Sequence, residues 1–448
     1  MPPQPGSQTI ADDLAHAIVS GQLAPGEKLP PQRVLAKRLG VTAGTVSRAY
    51  AILERRSLAL ARVGDGTYVR NPDVQPANPQ SDGTSALIDL AHNIAIPAGE
   101  AAALQQTLAL LSRSEAATAG LLNYQPEAGT QRHRAAGAAW LKGFGTSGDW
   151  KRVMVTHGAQ HALAAVLRTI ARPGDTVLTE ALSYSGLMAL ARAMRLQVIG
   201  LEMDDQGLLP DALDRAAKTY GSRLLFCTPS LHSPTTASMS MQRREAIAAL
   251  VRRHHLLLME DMVHAAALAD PLPALSSLVP DQSFLIASFS KVMAPGLRVG
   301  YLEASPQWLD KVAASIRADC WMVAPLMPEI ATQWLQDGTA VQLIARQRRC
   351  IDERLHLARA CLQDAVFRSA QHLPHLYLPL PEPWRSESFT AALRQAGVMV
   401  RTMDHFAAGR QAPPRAVRIS LNAAGSVAEL RAGLQIVARV LHGAPIQV

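Results

Sequence analysis

Cysteine is rare in this chain. The four cysteines, Cys227, Cys320, Cys350 and Cys361, are scattered without metal-ligand or disulfide spacing. No metal site or disulfide framework is expected, and a reducing compartment suits the pattern. Long apolar runs are missing too, since none reaches the roughly 18 residues of a membrane span. The start, Met1-Pro2-Pro3-Gln4-Pro5, lacks a basic stretch followed by an apolar one. A secretory signal is therefore not read, and a cytoplasmic protein is expected. Glycine and proline, 29 of each, are dispersed, which excludes collagen and low-complexity linkers. What remains is 48% hydrophobic and 18% charged, enough apolar surface for a sizeable core. At roughly 100–200 residues per domain, 448 residues make two or three domains.

Charge is uneven. The formal balance is +8, and the first 70 residues hold nine Lys/Arg against five Asp/Glu. Half of the excess therefore lies in under a sixth of the chain. Local positive charge is the footprint of a nucleic-acid binder, although a basic solvated face produces the same count.

The head, residues 1–70, reads as helix, helix–turn–helix and hairpin. Ile10, Leu14 and Ile18 recur at a spacing of four. Gly21 and Pro25-Gly26 end that helix. A second follows Pro30-Pro31, with Val34, Leu35 and Leu39 as its apolar side. Gly40-Val41 makes a turn, and Thr42 caps a third helix. That helix turns Val46, Tyr50 and Leu53 inward and leaves Thr45, Ser47 and Arg48 outside. Leu58 to Val69, centred on Gly64-Asp65-Gly66, reads as a β-hairpin. The whole is a winged helix-turn-helix. Pro25-Gly26-Glu27-Lys28-Leu29-Pro30-Pro31-Gln32-Arg33, Leu35-Ala36 and Gly66-Thr67-Tyr68-Val69 resemble the GntR family of bacterial repressors. Pro31 and Ser57 depart from its usual Ser and Gly. The resemblance implies that Arg33, Thr45, Ser47 and Arg48 face operator DNA and that Gly66 lets the wing enter the minor groove. A three-helix protein-interaction module is the plainer reading of the same pattern.

Residues 71–86 are polar and rich in Pro and Asn, and read as a linker. From residue 87 to 448 short apolar runs alternate with helical patterns. Strands are expected at 153–156, 176–179, 197–201, 224–228, 256–260, 283–288 and 298–302. Helices are expected at 160–171, 186–194, 210–219 and 241–253. Such alternation means an α/β fold with a mostly parallel sheet. Ligands bind at strand ends in such sheets, so strand-end polar residues are the candidates. Lys291 lies between hydroxyls and a Pro-Gly turn in Ser288-Phe289-Ser290-Lys291-Val292-Met293-Ala294-Pro295-Gly296-Leu297-Arg298. Glu260-Asp261 ends an earlier apolar strand.

These stretches resemble the fold type I pyridoxal-phosphate enzymes, the aspartate aminotransferase superfamily, and the motifs arrive in the family's order. The resemblance implies pyridoxal 5'-phosphate as cofactor and Lys291 as its Schiff-base lysine. Asp261 then pairs with the pyridine nitrogen. Gly158, Ala159, Gln160, Ser288, Ser290 and Arg298 hold the phosphate. Tyr184 stacks on the ring, and Tyr124 reaches the phosphate of a neighbouring subunit. Arg418 binds a substrate or effector carboxylate. Ser233 stands where the family has Asn, with His232 as a partial substitute, and His264 stands where it has Tyr. These departures bear on turnover more than on binding. Singly, Asp261 reads equally as a strand-end cap, Tyr184 as core and Arg418 as a surface ion pair; the ordered set argues otherwise.

A GntR-like head on an aminotransferase-like body resembles the MocR subfamily. It implies a homodimeric, head-to-tail regulator that senses the cofactor, an amine or an amino acid. A working aminotransferase with an accessory head is the alternative. The C-terminal stretch from about Pro306 is expected to form a smaller α+β subdomain.

Overall fold

The computed structural model describes residues 5–23, 26–56, 58–62, 66–69, 87–409 and 412–443. The linker reading at 71–86, and Pro25, Ser57, Gly64 and Asp65 of the head, lie outside the described residues. The chain divides into two compact units, Met1–Ser85 with Gly409–Ala412, and a body of Ala86–Ala408 with Pro413–Val448.

In the first unit α1 is Ser7–Val19, α2 Gln32–Leu39 and α3 Ala43–Arg55. Strands β1, Ala59–Arg62, and β2, Gly66–Val69, pair antiparallel from Ala59↔Val69 to Arg62↔Gly66. Ile10, Leu35, Ala36, Val46, Tyr50 and Leu53 form one buried core, with Leu14, Ile18 and Leu39 packed against it. The turn works as its residues require. Gly40 adopts φ 66°, and the Thr42 hydroxyl accepts from the Thr45 amide at 3.2 Å. Val34 departs from the sequence reading, being 58% exposed. A helix this short can aim only one stripe inward, and Leu35, Ala36 and Leu39 fill it. Leu53→Ala should cost the head about 2–5 kcal/mol. Urea unfolding followed by circular dichroism should then show an earlier separate step for the head.

A seven-stranded sheet organises the body. Its spatial order is Val153–Thr156, Gly300–Ala304, Ser283–Ser288, Leu257–Asp261, Leu224–Cys227, Thr176–Glu180 and Gln197–Leu201. Gly300–Ala304 runs antiparallel to both neighbours, and the other pairings are parallel. Helices cover both faces, so the central strands are apolar on both sides. Strand bounds follow the sequence reading to within about two residues, the usual uncertainty at element ends. Arg298 is the instructive miss. It takes a left-handed φ of 52° in a turn, and the strand starts only at Gly300.

The smaller subdomain is a three-stranded antiparallel sheet, His375–Pro379, Ala416–Ser420 and Arg401–Thr402. Helices Ser386–Gln395 and Val427–His442 pack on it through Phe389, Leu393, Leu430 and Leu434. Its membership corrects the sequence reading. Helices Pro306–Cys320 and Leu326–Gln336 belong to the large sheet: Val312 and Ile316 pack with Met154 and Phe284, and Ile330 and Trp334 with Val155 and Phe289. The long helix Thr339–Cys361 bridges the two cores, placing Leu343 in one and Leu355 and Ala358 in the other. An uninterrupted helical pattern carries no mark of that handover. The segment after the linker also joins the subdomain, since Ile88–Asp89 pairs with Val398–Met399 and Leu90 enters its core.

Candidate functional site

The site forms at the carboxyl ends of the parallel strands. Alternation along Leu257–Asp261 separates its two carboxylates. Glu260 turns to the structural side, accepting from the Leu275 and Ser276 amides at 3.0 and 2.6 Å. Asp261 turns to the site, where its Oδ1 accepts from the Val263 amide at 2.9 Å. Burial lifts its carboxyl to about 6, with Glu180 adding to the lift and Lys291 opposing it. Lys291 follows the next strand and donates from Nζ to the backbone carbonyl of Asn93. Burial, reinforced by the Arg418 cation, brings the ammonium down to about 8.

A second cluster gathers beside Lys291. Ser288 is fully buried, and its Oγ lies 2.9 Å from Ser290 Oγ and donates to the Val299 carbonyl at 3.2 Å. Arg298 donates to Ser290 Oγ at 3.3 Å and to the His157 carbonyl at 3.2 Å. Gly158 opens helix Gly158–Ile170 at φ 77°, and a Cβ there would lie 2.9 Å from Arg298 Nη2. Only glycine lets the guanidinium close over the helix start. Gly158, Ala159 and Gln160 thus form a helix N-terminal turn beside an arginine and two serine hydroxyls, the donor set of a phosphate cradle. Gln160 donates to the Gly186 carbonyl at 3.2 Å and leaves its buried Oε1 without a partner among the described residues. Tyr184 stands at the rim, 40% exposed. Desolvation, aided by Asp261, lifts its phenol to about 12.

The opposite wall belongs to the small subdomain. Arg418, 8% exposed, donates to the Ala91 carbonyl at 2.7 Å and to Ser233 Oγ at 3.2 Å. Its guanidinium sits 4.8 Å from the Phe406 ring, and burial brings its pKa down to about 9. The surface ion-pair reading of Arg418 is therefore wrong. His264 stacks edge-on to His375 at 5.9 Å. Burial and the cations Lys291 and Arg418 push His264 down to about 3 and His375 well below its usual range. His232 is also buried and depressed, with Nδ1 2.8 Å from Thr235 Oγ1 and Nε2 unpartnered among the described residues. All three imidazoles are neutral near pH 7.

Tyr124 is not drawn in by any contact of the described residues. It is 82% exposed, with its ring 5.9 Å from Trp321. Asn93, His375 and Arg401 were missed in the sequence, because nothing periodic or motif-like surrounds them. Asn93 Nδ2 lies 3.4 Å from His375 Nδ1, and Arg401 Nη2 lies 3.0 Å from His92 Nε2.

In the head, Arg33, Ser47 and Arg48 are exposed, while Thr45 shares its hydroxyl with the Thr42 cap at 2.9 Å. Lys37 and Arg38 join Arg33 on the outer face of α2, two further cations the sequence reading did not single out. Gly66 takes φ 118°, and a Cβ there would lie 2.8 Å from Lys28 Cε.

Residues 86–437 match the family described as aminotransferase class I and II. The chain belongs to that family. Residues 7–69 match the bacterial regulatory proteins of the gntR family. A gntR head on an aminotransferase body is the arrangement of the MocR subfamily of transcriptional regulators. The HTH-type transcriptional regulator YdeF of Bacillus subtilis (strain 168) is 29% identical over 439 residues, covering 98% of this chain and 95% of that one. The pyridoxine biosynthesis transcriptional regulator PdxR of Corynebacterium glutamicum is 27% identical over 412 residues, 89% of this chain and 88% of its own. Among solved structures, the kynurenine aminotransferase of Pyrococcus horikoshii superposes with a TM-score of 0.72 at 20% identity, covering 80% and 91% of the two chains. LysN, the α-aminoadipate aminotransferase of Thermus thermophilus, gives 0.70 at 23% identity over 80% and 92%. At these identities the structures establish the fold of the MocR body. Among the described residues no helix is long and apolar enough to cross a membrane.

Proposed function

We propose that this MocR-type regulator binds pyridoxal 5'-phosphate in its body and senses it, or an amine or amino acid that reacts with it, to change how its heads hold operator DNA. The observation that carries the reading is Lys291, a desolvated amine of lowered pKa set between a carboxylate and a phosphate-type cradle. The donor set fits the cofactor's chemistry. Gly158, Ala159, Gln160, Ser288, Ser290 and Arg298 would take the phosphate, Asp261 the ring nitrogen and Tyr184 the ring face. Bound there, the cofactor supplies an amine-reactive aldehyde and an electron-drawing ring. Lys291 would be the amine held toward that aldehyde, and burial, by bringing its pKa down to about 8, makes its neutral form a minority near pH 7 that grows as pH rises. Arg418 grips the carboxylate of an incoming amino acid. The exposed Tyr124 is placed in this reading at the phosphate of a second copy in a head-to-tail homodimer. Names of two relatives, the regulator PdxR and the vitamin B6 salvage pathway repressor PtsJ of Salmonella typhimurium, support the cofactor reading. A regulator that holds operator DNA works in the cytoplasm.

Sensing is favoured over turnover by two residues. Ser233 is occupied by Arg418, and His264 is a neutral imidazole in place of a phenol. Neither leaves the pair of polar groups that the fold's enzymes set beside the cofactor's phenolic oxygen. Transamination requires a proton moved between two carbons with close placement, whereas amine capture requires mainly the lysine. A ligand then shifts DNA affinity by its differential binding to two body states. Stopped-flow spectra with candidate amines, beside keto-acid and operator-binding assays, test this. The expected outcome is a spectral change that stops after one equivalent and alters operator affinity. Rapid multiple turnovers with unchanged operator affinity would support the aminotransferase instead.

A further inference from the structure

We infer that His375 is a further cofactor-binding residue of this body: oriented by Asn93, it donates from Nε2 to the ring hydroxyl oxygen of bound pyridoxal phosphate. The inference rests on the cofactor reading above and extends it to a side chain of the small subdomain.

Strand alternation turns His375 toward the site. Leu376 and Leu378 enter the core beneath the two helices of the small subdomain. His375 and Tyr377 therefore lie on the other face. Tyr377 is paired with Arg418 on the neighbouring strand, so His375 and Arg418 share that face as diagonal neighbours. The imidazole is fully buried. Its Nδ1 lies 3.4 Å from Asn93 Nδ2, and a carboxamide nitrogen can only donate. The ring proton therefore sits on Nε2. Burial, reinforced by the Arg418 cation, keeps the ring neutral, so Nε2 carries its single N–H. Among the described residues that N–H has no acceptor. A buried donor left unpaired is unfavourable, and this one calls for an acceptor from outside the chain.

Asn93 places that donor beside the point of cofactor attachment. Its carbonyl accepts from Lys291 Nζ while its side chain holds His375, so one residue spans the amine and the imidazole. The titratable groups around the ring are Arg418, His264, His232 and Lys291, and no carboxylate is among them to take the N–H. The connectivity of pyridoxal phosphate selects the acceptor. Its aldehyde-bearing ring carbon lies between the carbon with the phosphate arm and the carbon with the hydroxyl. With the phosphate in the cradle of Ser288, Ser290 and Arg298, the hydroxyl falls on the other side of Lys291, toward the wall that carries His375. Asp261 takes the ring nitrogen and Arg418 a ligand carboxylate, which leaves the hydroxyl oxygen as the acceptor for Nε2. A neutral N–H suits an oxygen that bears negative charge, because it stabilises the charge without adding a second cation beside Arg418.

The test uses the full-length protein with pyridoxal phosphate and with its analogue lacking the ring hydroxyl. Equilibrium dialysis gives the affinities. Absorption against pH gives the midpoint at which the linked cofactor loses the proton shared between Lys291 Nζ and the ring oxygen. His375→Phe should weaken pyridoxal phosphate about tenfold and leave the analogue within about twofold, which also reports that the variant is folded. A donor on the ring oxygen weakens its hold on the shared proton, so losing the donor should raise the midpoint by about one pH unit. His375→Gln, which keeps an N–H, should restore most of both. Equal weakening of cofactor and analogue by His375→Phe would overturn the inference, since that is the result of a merely structural role. So would an unmoved midpoint, or a shift that follows His232→Phe in place of His375→Phe. Each of these leaves the cofactor reading standing, whereas an unaltered protein that takes up no cofactor overturns both.

Discussion

Replacing Lys291 by alanine should leave no cofactor adduct that borohydride can fix to the protein. Lys291 is the amine that burial and the Arg418 cation bring down to about 8, and it is held at the strand ends by the Asn93 carbonyl. The cradle of Ser288, Ser290, Arg298 and the Gly158 turn is untouched by the change, so weaker non-covalent retention of the cofactor should persist. Peptide mapping after reduction measures the first effect and equilibrium dialysis the second. An adduct recovered on another lysine would show that the amine was misassigned. The same pKa sets the pH dependence. A lowered lysine pKa means that the neutral nucleophile is scarce below about 8 and dominant above it. Near pH 7 roughly a tenth of Lys291 is neutral. Capture of the cofactor by the unaltered protein should therefore accelerate up to about tenfold between pH 7 and 9 and then level off. A rate flat across that range would remove the argument from the lysine's environment.

Arg33→Ala and Arg48→Ala should each weaken operator binding and leave cofactor absorption unchanged. Both side chains are exposed on the head, which is a unit of its own. A lost contact to a base edge costs about 1–3 kcal/mol, or roughly five- to a hundredfold in affinity. A lost phosphate contact instead reduces the salt dependence, by about 0.9 in the slope of log K against log salt. Titrations at several salt concentrations separate the two cases for each arginine. Unchanged affinity in both variants would mean that the outer faces of α2 and α3 do not meet DNA. Thr45 should matter less to base reading than its position suggests, since its hydroxyl is shared with the Thr42 cap.

The two halves of the body's site were unequally legible. Asp261, Ser288, Lys291 and Arg298 sit in or beside strands that alternate with helices, so the pattern that locates the strand also locates its end. Gly158 was readable for the same reason, as the glycine between a strand and a helix. The wall built by the small subdomain left no such trace. Arg418 meets Ser233 across 185 residues of sequence, Lys291 meets Asn93 across 198, and Arg401 meets His92 across 309. His375 lies in a short strand whose apolar neighbours mark it as core, with no sign that its ring faces another histidine.

The sequence by itself determined the head, the order of strands and helices in the body, and the residue types at the strand ends. These follow from periodicity and turn chemistry, which act over a few residues. Tertiary structure alone decided that Ser233 is engaged by Arg418, that His232, His264 and His375 are neutral, that Lys291 is a weakened base, and that His375 and Arg418 share one face. Each depends on which groups are withdrawn from water together. Desolvation and charge–charge effects are set by distances in the folded chain, and residue order along the chain does not encode them locally.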